Sequence, residues 1–372
     1  MRIRPTYARI AGVVFAAVVA SSACGTSPTS SSEEESQGPT KAEKVYAELN
    51  KLPPSEQRAE LVKRANEEGA LAVYTSMTSE VTDEVIGAFE DTYDDLDVSV
   101  YRADSETVLQ RVLQEQQAQF YGNDVVESNA TEMIALEQEG LMAPYRGAPR
   151  DAVSDLAKFD TWTGVRFNLF SPSWNTKLVK PGEQPTSWED LADPKWDGTL
   201  SMEIEDYDWY GTLRDYFIEQ GMTEQEADQV FSEMADGAKI VKGHTVQGEL
   251  LSAGQFNVVA SNYSYITETL KRSGAPVDYE PMVEPVIARP NGLGLMRTAE
   301  HPAAAMLFAD WLLTDGQKVM ADLGLTPAVE SMDPFQGREV VPVNTDKLLK
   351  QGEEWSKQYE EVVQQGDEVE SD

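Results

Sequence analysis

The sequence predicts an α/β protein built of two lobes, and two observations lead to this prediction. Segments typical of short apolar strands alternate with segments typical of amphipathic helices, in two successive series that begin near Leu71 and near Trp162. In addition, 372 residues with 41% hydrophobic and 26% charged composition are enough for two hydrophobic cores of ordinary domain size. Strands connected by helices predict mostly parallel sheets flanked by helices, with ligands bound beyond the carboxyl ends of the strands.

The first series follows two predicted helices at 41–52 and 54–68. It consists of strands at 71–74, 98–101 and 124–127 and helices at 82–93, 105–120 and 131–139. Ser76, Thr78 and Asn129 lie in the loops after the first and third strands. Because such loops meet at one edge of a parallel sheet, we take these three residues as candidate ligand-binding residues.

The second series begins with a strand at 165–170 and a turn-rich segment at 188–198. It continues with strands at 199–204, 239–241 and 256–261 and helices at 209–219, 224–237 and 245–253. Glu205, Asp206, Tyr207 and Tyr210 gather at one passage from strand to helix. Carboxylates beside aromatic rings can hold an ammonium group or another organic cation. The alternatives are that Asp206 or Asp208 caps the helix and that the rings only pack between the lobes.

Two further basic residues have both a binding and a structural interpretation. His244 precedes a predicted helix, whose amino terminus can receive an anionic ligand group, or else Thr245 caps that helix and His244 is exposed. Arg289 lies on the predicted return of the chain to the first lobe, where a guanidinium can clamp a carboxylate or phosphonate. The alternative for Arg289 is a salt bridge with one of the many acidic residues.

The amino terminus resembles a bacterial lipoprotein signal. Three arginines and an apolar run at 10–20 precede the small residues Ser21, Ser22 and Ala23, and Cys24 follows. The run is too short to span a bilayer as a helix, so we expect cleavage before Cys24 and a lipid on its thiol. The alternative is a plain signal peptide with an incidental cysteine. Residues 25–40 are rich in Ser, Thr, Pro and Glu, a composition typical of an extended tether.

The overall composition excludes several classes of function. A net charge of −35 argues against nucleic acid as a partner, since it repels phosphate backbones. One cysteine and two histidines rule out a cysteine-rich metal cage and leave little for a zinc site. No nucleophile elbow, P-loop or dinucleotide-binding motif follows a predicted strand, so we do not expect an enzyme. A secreted hydrolase with two catalytic carboxylates, such as a glycosidase, is the alternative that motifs leave open.

Three segments, PTSWEDLADPKWDGTL, SAGQFNVVASNYSY and EHPAAAMLFADWLLTDGQ, resemble those of bacterial extracellular solute-binding proteins of ABC importers, in the ferric-iron-binding branch. The resemblance runs from about Leu52 to Val341. It implies a two-lobed periplasmic-binding-protein-like fold (type II), a cleft that closes on a solute, and docking on the transmembrane subunits of a permease. We expect a monomer on the outer face of the membrane, with no cofactor. The expected parts are a signal peptide (1–23), a lipidated linker (24–40), amino-terminal helices (41–68), lobe 1 (69–163 plus 279–325), lobe 2 (164–278) and a helical segment with an acidic tail (326–372).

The resemblance also implies a ligand set for ferric iron: a histidine after the first strand, a glutamate after the third and two adjacent tyrosines. This chain departs from the set, with Thr78 and Asn129 near the first two positions and Tyr263 and Tyr265 in place of the adjacent pair. If iron is the solute, Tyr263, Tyr265 and Glu127 are its candidate ligands, with the tyrosines on one face of a strand. The departures favour a small organic solute with an amino group.

Overall fold

The computed structural model describes residues 38–369, so the predicted signal peptide and Cys24 lie outside the described residues. The helices in this range are α1 (Lys41–Leu49), α2 (Pro54–Glu68), α3 (Ser79–Thr92), α4 (Ser105–Gln117), α5 (Ala130–Gln138), α6 (Tyr207–Glu219), α7 (Glu224–Ala235), α8 (His244–Ser252), α9 (Ser264–Arg272), α10 (Pro302–Leu312), α11 (Asp315–Asp322) and α12 (Thr345–Val363).

The strands in the same range are β1 (Ala70–Thr75), β2 (Asp97–Arg102), β3 (Val125–Asn129), β4 (Met142–Ala143), β5 (Trp162–Asn175), β6 (Leu200–Glu203), β7 (Lys239–Val241), β8 (Val258–Tyr263), β9 (Val277–Asp278), β10 (Val286–Met296), β11 (Thr326–Pro327), β12 (Val340–Pro342) and β13 (Asp367–Glu368). The predicted alternation of strands and helices is therefore present, with boundaries that differ by a few residues.

Two groups of parallel strands form the two lobes. The first lobe contains the order β3-β1-β2 and the second contains β7-β6-β8, and neighbours within each group pair in parallel. The long strands β5 and β10 run antiparallel to each other between the two groups, where β5 pairs with β8 and β10 pairs with β3. These two crossing strands join the lobes into one continuous sheet of the described strands, and the predicted α/β class with a group of parallel strands in each lobe is confirmed.

The strand at 165–170 is longer than predicted. Strand β5 extends over Trp162–Asn175 and is buried along its whole length, including Arg166, Asn168 and Ser171. Ser171 ends the apolar run in the sequence, which conceals the continuation of the strand to Asn175. This burial follows from the position of β5 in the middle of the sheet, where α8 and α9 pack against it.

Local sequence explains where several helices begin. Thr40 and Glu43 form a capping box at the start of α1, and Thr223 and Glu226 form another at α7. Every residue of α10 is buried, which matches a sequence that is apolar except for Asp310, whose carboxylate accepts a hydrogen bond from the Tyr145 hydroxyl. No helix within residues 38–369 combines the length and the apolar character needed to cross a bilayer.

The carboxyl-terminal segment belongs to the folded body. Helix α12 packs on α6, where the indole of Trp355 lies against Gly211, and it also contacts α5 of the first lobe. The hydroxyl of Tyr359 donates a hydrogen bond to the carbonyl of Glu203 at 2.5 Å. The following strand β13 pairs in parallel with β7. One face of α12 is apolar and covers the second lobe, while its acidic residues Glu353, Glu354, Glu360 and Glu361 are exposed.

Candidate functional site

A cleft of about 1160 Å³ lies between the lobes, at the carboxyl ends of strands from both groups. Nine of the ten predicted ligand-binding residues line it: Ser76, Thr78, Asn129, Glu205, Asp206, Tyr207, His244, Tyr263 and Tyr265. They come from the ends of β1, β3, β6, β7 and β8 and the helices that follow. The topology therefore brings together residues that are as far apart as 76 and 265 in the sequence.

Tyr210 is the predicted residue that the structure does not place in the cleft. Its side chain is 2% exposed, and its ring packs against Phe231 at 4.6 Å and Tyr359 at 5.5 Å between ring centres. Helices α7 and α12 cover this side of α6, so the ring completes the core of the second lobe. The structure therefore does not support Tyr210 as a residue of the cleft wall.

The two candidate tyrosines share a wall of the cleft but not a strand. Strand β8 ends at Tyr263, and Tyr265 lies in the first turn of α9, so the expectation of a common strand face is wrong. Their rings are nevertheless nearly parallel, at 14°, with centres 6.1 Å apart. Burial raises the pKa of Tyr265 above its ordinary value, which opposes formation of the phenolate that binds ferric iron.

Glu127 is engaged by protein groups. Its Oε1 accepts from Arg166 Nη2 at 3.0 Å and Nε at 3.1 Å, and its Oε2 accepts from the Thr75 hydroxyl at 2.7 Å. Both partners of this ion pair are buried, with side chains 0% and 2% exposed. A carboxylate that neutralises a buried guanidinium is held by that charge. The geometry therefore does not offer Glu127 as a free iron ligand.

An acid and imidazole cluster lies on the wall formed by the second lobe. Glu203, Asp206 and His244 each place one potential metal-ligating atom within 4.8 Å of the others. His244 Nε2 lies 3.0 Å from Asp206 Oδ1, and Asp206 Oδ2 accepts from the Ser261 hydroxyl at 2.6 Å. Asp206 stands at the N-cap of α6 but its side chain makes no capping hydrogen bond there.

The protonation of this cluster is set mainly by burial. Burial and the neighbouring charge of Asp206 raise the pKa of Glu203 to about 7, and burial raises the pKa of Asp206 well above its usual value. Burial lowers the pKa of His244 to about 4, so its imidazole is neutral at neutral pH. The buried His244 Nδ1 has no hydrogen-bond partner among the described residues.

Arg289 of β10 forms a salt bridge and also keeps donors that could bind an acid group, so both interpretations offered by the sequence apply to it. Its Nη1 pairs with Asp208 Oδ2 at 3.0 Å, and both side chains are buried. Asp208 accepts a backbone hydrogen bond from the adjacent Trp209, at 2.8 Å, and does not cap α6 in the usual way. In the described part of the chain, Arg289 Nε and Nη2 are buried without a partner. The guanidinium lies over the rings of Phe170 and Tyr263, at 4.9 and 5.1 Å from their centres.

Glu132 of α5 faces the cleft from the first lobe. Its Oε2 is buried and lacks a hydrogen-bond partner among residues 38–369. Burial raises the pKa of Glu132 to about 7, while the charge of Arg289 acts in the opposite direction. The charges of Asp208 and Glu205, which belong to the second lobe, add to the rise in the pKa of this carboxyl group.

An ion pair bridges the two lobes at the edge of the cleft. Lys242 Nζ lies 2.7 Å from Glu205 Oε1 in the second lobe and 3.1 Å from Glu106 Oε2 of α4 in the first lobe. These side chains are about half exposed. The cleft is therefore described in a conformation in which its two walls are in contact.

Sequence reasoning missed several charged residues of the cleft wall, among them Glu132, Arg166, Glu203 and Lys242. A partial signal was present for two of them. Arg166 interrupts an otherwise apolar predicted strand, and a charged residue in such a strand needs a buried partner. Glu132 follows directly after the loop of Asn129, at the amino end of α5. The partner of Arg166, Glu127, lies 39 residues away in the sequence, so the pattern alone could not identify it.

Two α/β lobes, two crossing strands and a polar cleft between the lobes define a two-lobed solute-binding protein. A sequence profile of the bacterial extracellular solute-binding proteins matches residues 115–348. The chain belongs to this family, and the resemblance inferred from its segments is confirmed. The members of the family bind solutes and are not enzymes, so the hydrolase alternative is set aside. Nothing among curated protein sequences matches the chain significantly.

Solved structures support the same fold at low sequence identity. Iron-bound HitA from Pseudomonas aeruginosa is 17% identical, with 79% of this chain and 99% of that chain covered and a TM-score of 0.65. The periplasmic binding protein AfuA from Actinobacillus pleuropneumoniae, with fructose-6-phosphate bound, is 19% identical, with coverage of 80% and 99% and a TM-score of 0.68. The ferric binding protein from Campylobacter jejuni is 16% identical, with coverage of 78% and 99% and a TM-score of 0.64.

Proposed function

We propose that the protein is the lipid-anchored solute receptor of an ABC importer and that its solute is a small organic molecule with an amino group. In this proposal Cys24 carries the lipid, residues 25–40 form the tether, and a monomeric receptor delivers its solute to the permease. The lobes comprise 69–163 with 279–325 and 164–278. The ligand-binding residues are Ser76, Thr78, Asn129, Glu205, Asp206, Tyr207, His244, Tyr263 and Tyr265.

The observation that carries the choice of an organic solute is the concentration of unpartnered buried polar atoms around the cleft. Ser76 Oγ, Glu132 Oε2, His244 Nδ1 and two nitrogens of Arg289 belong to cleft-lining residues and lack hydrogen-bond partners among the described residues. Buried polar groups in proteins are nearly always hydrogen-bonded. One metal ion cannot satisfy donors and acceptors of both kinds spread through about 1160 Å³, whereas a multifunctional organic molecule can.

The amino group is inferred from the carboxylates and aromatic rings that line the same cleft. Glu132 and Glu205 line the cleft beside Tyr207, while Tyr263 lies on the same wall as Asp206. A carboxylate attracts an ammonium group directly, and a ring face adds an attraction through its quadrupole. The excess of acidic over basic side chains along the cleft supports the same inference.

Delivery follows from hinge closure. The free protein samples open and closed forms, and only the closed form lets the solute contact both lobes. The pair between Lys242 and Glu106 adds a contact between the lobes on closure. Because both side chains are about half exposed, this pair contributes little by itself, and the solute supplies most of the difference in free energy between the two forms.

A ferric ion, alone or chelated, is the second candidate. Tyr263 and Tyr265 supply the phenol oxygens that suit a hard cation, and the similar HitA structure is iron-bound. Addition of ferric iron to the ligand-free protein distinguishes the candidates. We expect no visible phenolate-to-iron absorption band, together with thermal stabilisation by an amine. A visible band that disappears in Tyr263→Phe but persists in the exposed control Tyr121→Phe would favour iron.

The lipid anchor is tested separately in the producing cell. We expect the wild-type protein in the membrane fraction, with a mass that includes acyl chains on a new amino terminus at Cys24. Cys24→Ser should be released from the membrane or retained with its signal peptide. A wild-type protein that is soluble and cleaved without a lipid would contradict the anchor without affecting the proposed solute.

A further inference from the structure

Arg289 offers one complete, unused edge of its guanidinium group. Three nitrogens of this group point in two directions: Nη1 is directed to Asp208, while Nε and Nη2 lie together on the opposite edge. This second edge is the fork that binds the two oxygens of a carboxylate or phosphonate with two parallel hydrogen bonds. Both nitrogens are buried without a partner in the described part of the chain, and the whole residue is 4% exposed.

The surroundings hold this edge in place. The ring faces of Phe170 and Tyr263 cover the guanidinium, with centres 4.9 and 5.1 Å from its carbon. The ion pair with Asp208 fixes the remaining nitrogen. A guanidinium held in this manner loses little conformational entropy when a ligand binds, which favours recognition of a planar or tetrahedral acid group.

A simple anion does not suit the site as a whole. Asp206, Asp208 and Glu132 all act on the charge of Arg289, and Asp208 already neutralises it. An added negative charge therefore gains two good hydrogen bonds but is repelled by the carboxylate of Asp208 and by Glu132 in its ionised form. A positive charge on the same solute, close to its acid group, removes this repulsion.

Glu132 is the partner suited to that positive charge. Its buried Oε2 is an unpartnered acceptor, it lines the same cleft, and it lies close enough to Arg289 for their charges to interact. Arg289 belongs to a strand that joins the lobes, whereas Glu132 belongs to α5 of the first lobe. A solute that contacts both residues would give hydrogen-bond partners to Nε and Nη2 of Arg289 and to Oε2 of Glu132.

We propose that Arg289 and Glu132 form a subsite for a zwitterionic solute, with its carboxylate or phosphonate on the Nε and Nη2 edge of Arg289 and its ammonium group on Glu132. This inference rests on the proposed function and deepens it, since it adds an acid group to the amino-bearing solute. The class of solute is an amino acid or an aminoalkyl phosphonate.

The test uses the ligand-free full chain and calorimetric titration with matched probes. The probes are glycine, β-alanine, 4-aminobutyrate and 5-aminovalerate, the aminoalkyl phosphonates of the same chain lengths, the methyl esters of the carboxylates and their N-acetyl forms. We expect at least one zwitterion to bind. Its ester and its N-acetyl form should bind roughly 10- to 100-fold more weakly, because each leaves a buried charged group without its partner.

Two variants connect the result to the residues. Arg289→Lys keeps a positive charge for Asp208 but lacks the fork, so it should bind the zwitterion at least about tenfold more weakly while binding the ester as the wild type does. Glu132→Gln should weaken the zwitterion and leave the N-acetyl form unchanged. Gln110→Ala, an exposed residue at the cleft edge, serves as the control and should change neither.

The outcomes separate the inference from the proposed function. If an ester binds as tightly as its zwitterion, the acid subsite is wrong and the amino-bearing solute stands. If the N-acetyl form binds as tightly as the zwitterion, both the ammonium position and the proposed amino-bearing solute are wrong. If none of these probes binds, the zwitterion subsite is wrong. The proposed function is then judged by the solute that the protein carries when it is purified from its host.

Discussion

Replacement of Glu127 by Gln tests whether this carboxylate serves the fold or awaits a metal. In the structure, Glu127 Oε1 accepts two hydrogen bonds from Arg166, and both side chains are buried. Glu127→Gln keeps the size of the side chain and removes its charge, so Arg166 remains buried without a counter-charge. The loss of one partner of a buried ion pair costs about 3–5 kcal/mol. We expect the lower end of this range, since the amide oxygen of Gln can still accept one of the hydrogen bonds.

Urea denaturation followed by tryptophan fluorescence provides the measurement. With a slope of about 3 kcal/mol per M, a loss of about 3 kcal/mol lowers the unfolding midpoint by about 1 M. The control is Asp155→Asn, which breaks the pair between Lys158 and Asp155, whose side chain is 95% exposed. That change should cost less than about 1 kcal/mol. If Glu127→Gln lowers the midpoint no more than Asp155→Asn does, the structural role assigned to Glu127 is refuted.

Two further predictions concern the second lobe. The imidazole of His244 should titrate near pH 4 by NMR, with His301→Gln used to assign the signal, and a titration near the ordinary value of 6.5 would contradict its burial. Because the unfolded chain takes up this proton first, the contribution of His244 to stability is complete above pH 6.5 and is lost as the pH falls toward 4, at up to about 1.4 kcal/mol per pH unit. Gly211→Ala places a methyl group 2.1 Å from the indole of Trp355 and should lower the free energy of unfolding by about 1–3 kcal/mol and speed hydrogen exchange in α12. The control is Gly87→Ala in helix α3, where the added methyl group meets no atom within 4 Å, so this change should be neutral or stabilising. Equal losses of unfolding free energy in the two variants would contradict the docking of α12 on α6.

Much of the fold follows from local sequence patterns. The strands and helices of the first series are predicted because apolar residues recur at helical or strand spacing, as for Val85, Ile86 and Phe89 in α3. The two ends of β5 could not be predicted from the spacing of apolar residues. In the sequence, a polar residue that is buried in a central strand looks the same as a residue at which a strand ends. Helix α9 was missed at Tyr265 because nothing in the local pattern separates the last residue of β8 from the first turn of the helix.

The candidate site is less visible in the sequence than the fold. The loops after strands were identified because parallel topology places them at one edge, and this reasoning brings Ser76, Asn129 and Asp206 to the same cleft. The pairing of Glu127 with Arg166, 39 residues away, has no local signature. The same holds for Asp208 and Arg289, which are 81 residues apart. Which charges remain free for a solute depends on these distant pairs, so it could be derived only from the structure.

The central claim is that the cleft between the lobes holds one small organic solute by contacts with both walls. Native mass spectrometry of the protein purified from its own host tests this claim most directly. The account predicts one bound molecule per chain, released on unfolding, whose elemental composition includes nitrogen and an acid group. A bound mass equal to iron alone, or a chain that carries no solute and binds none of the zwitterions, would contradict it.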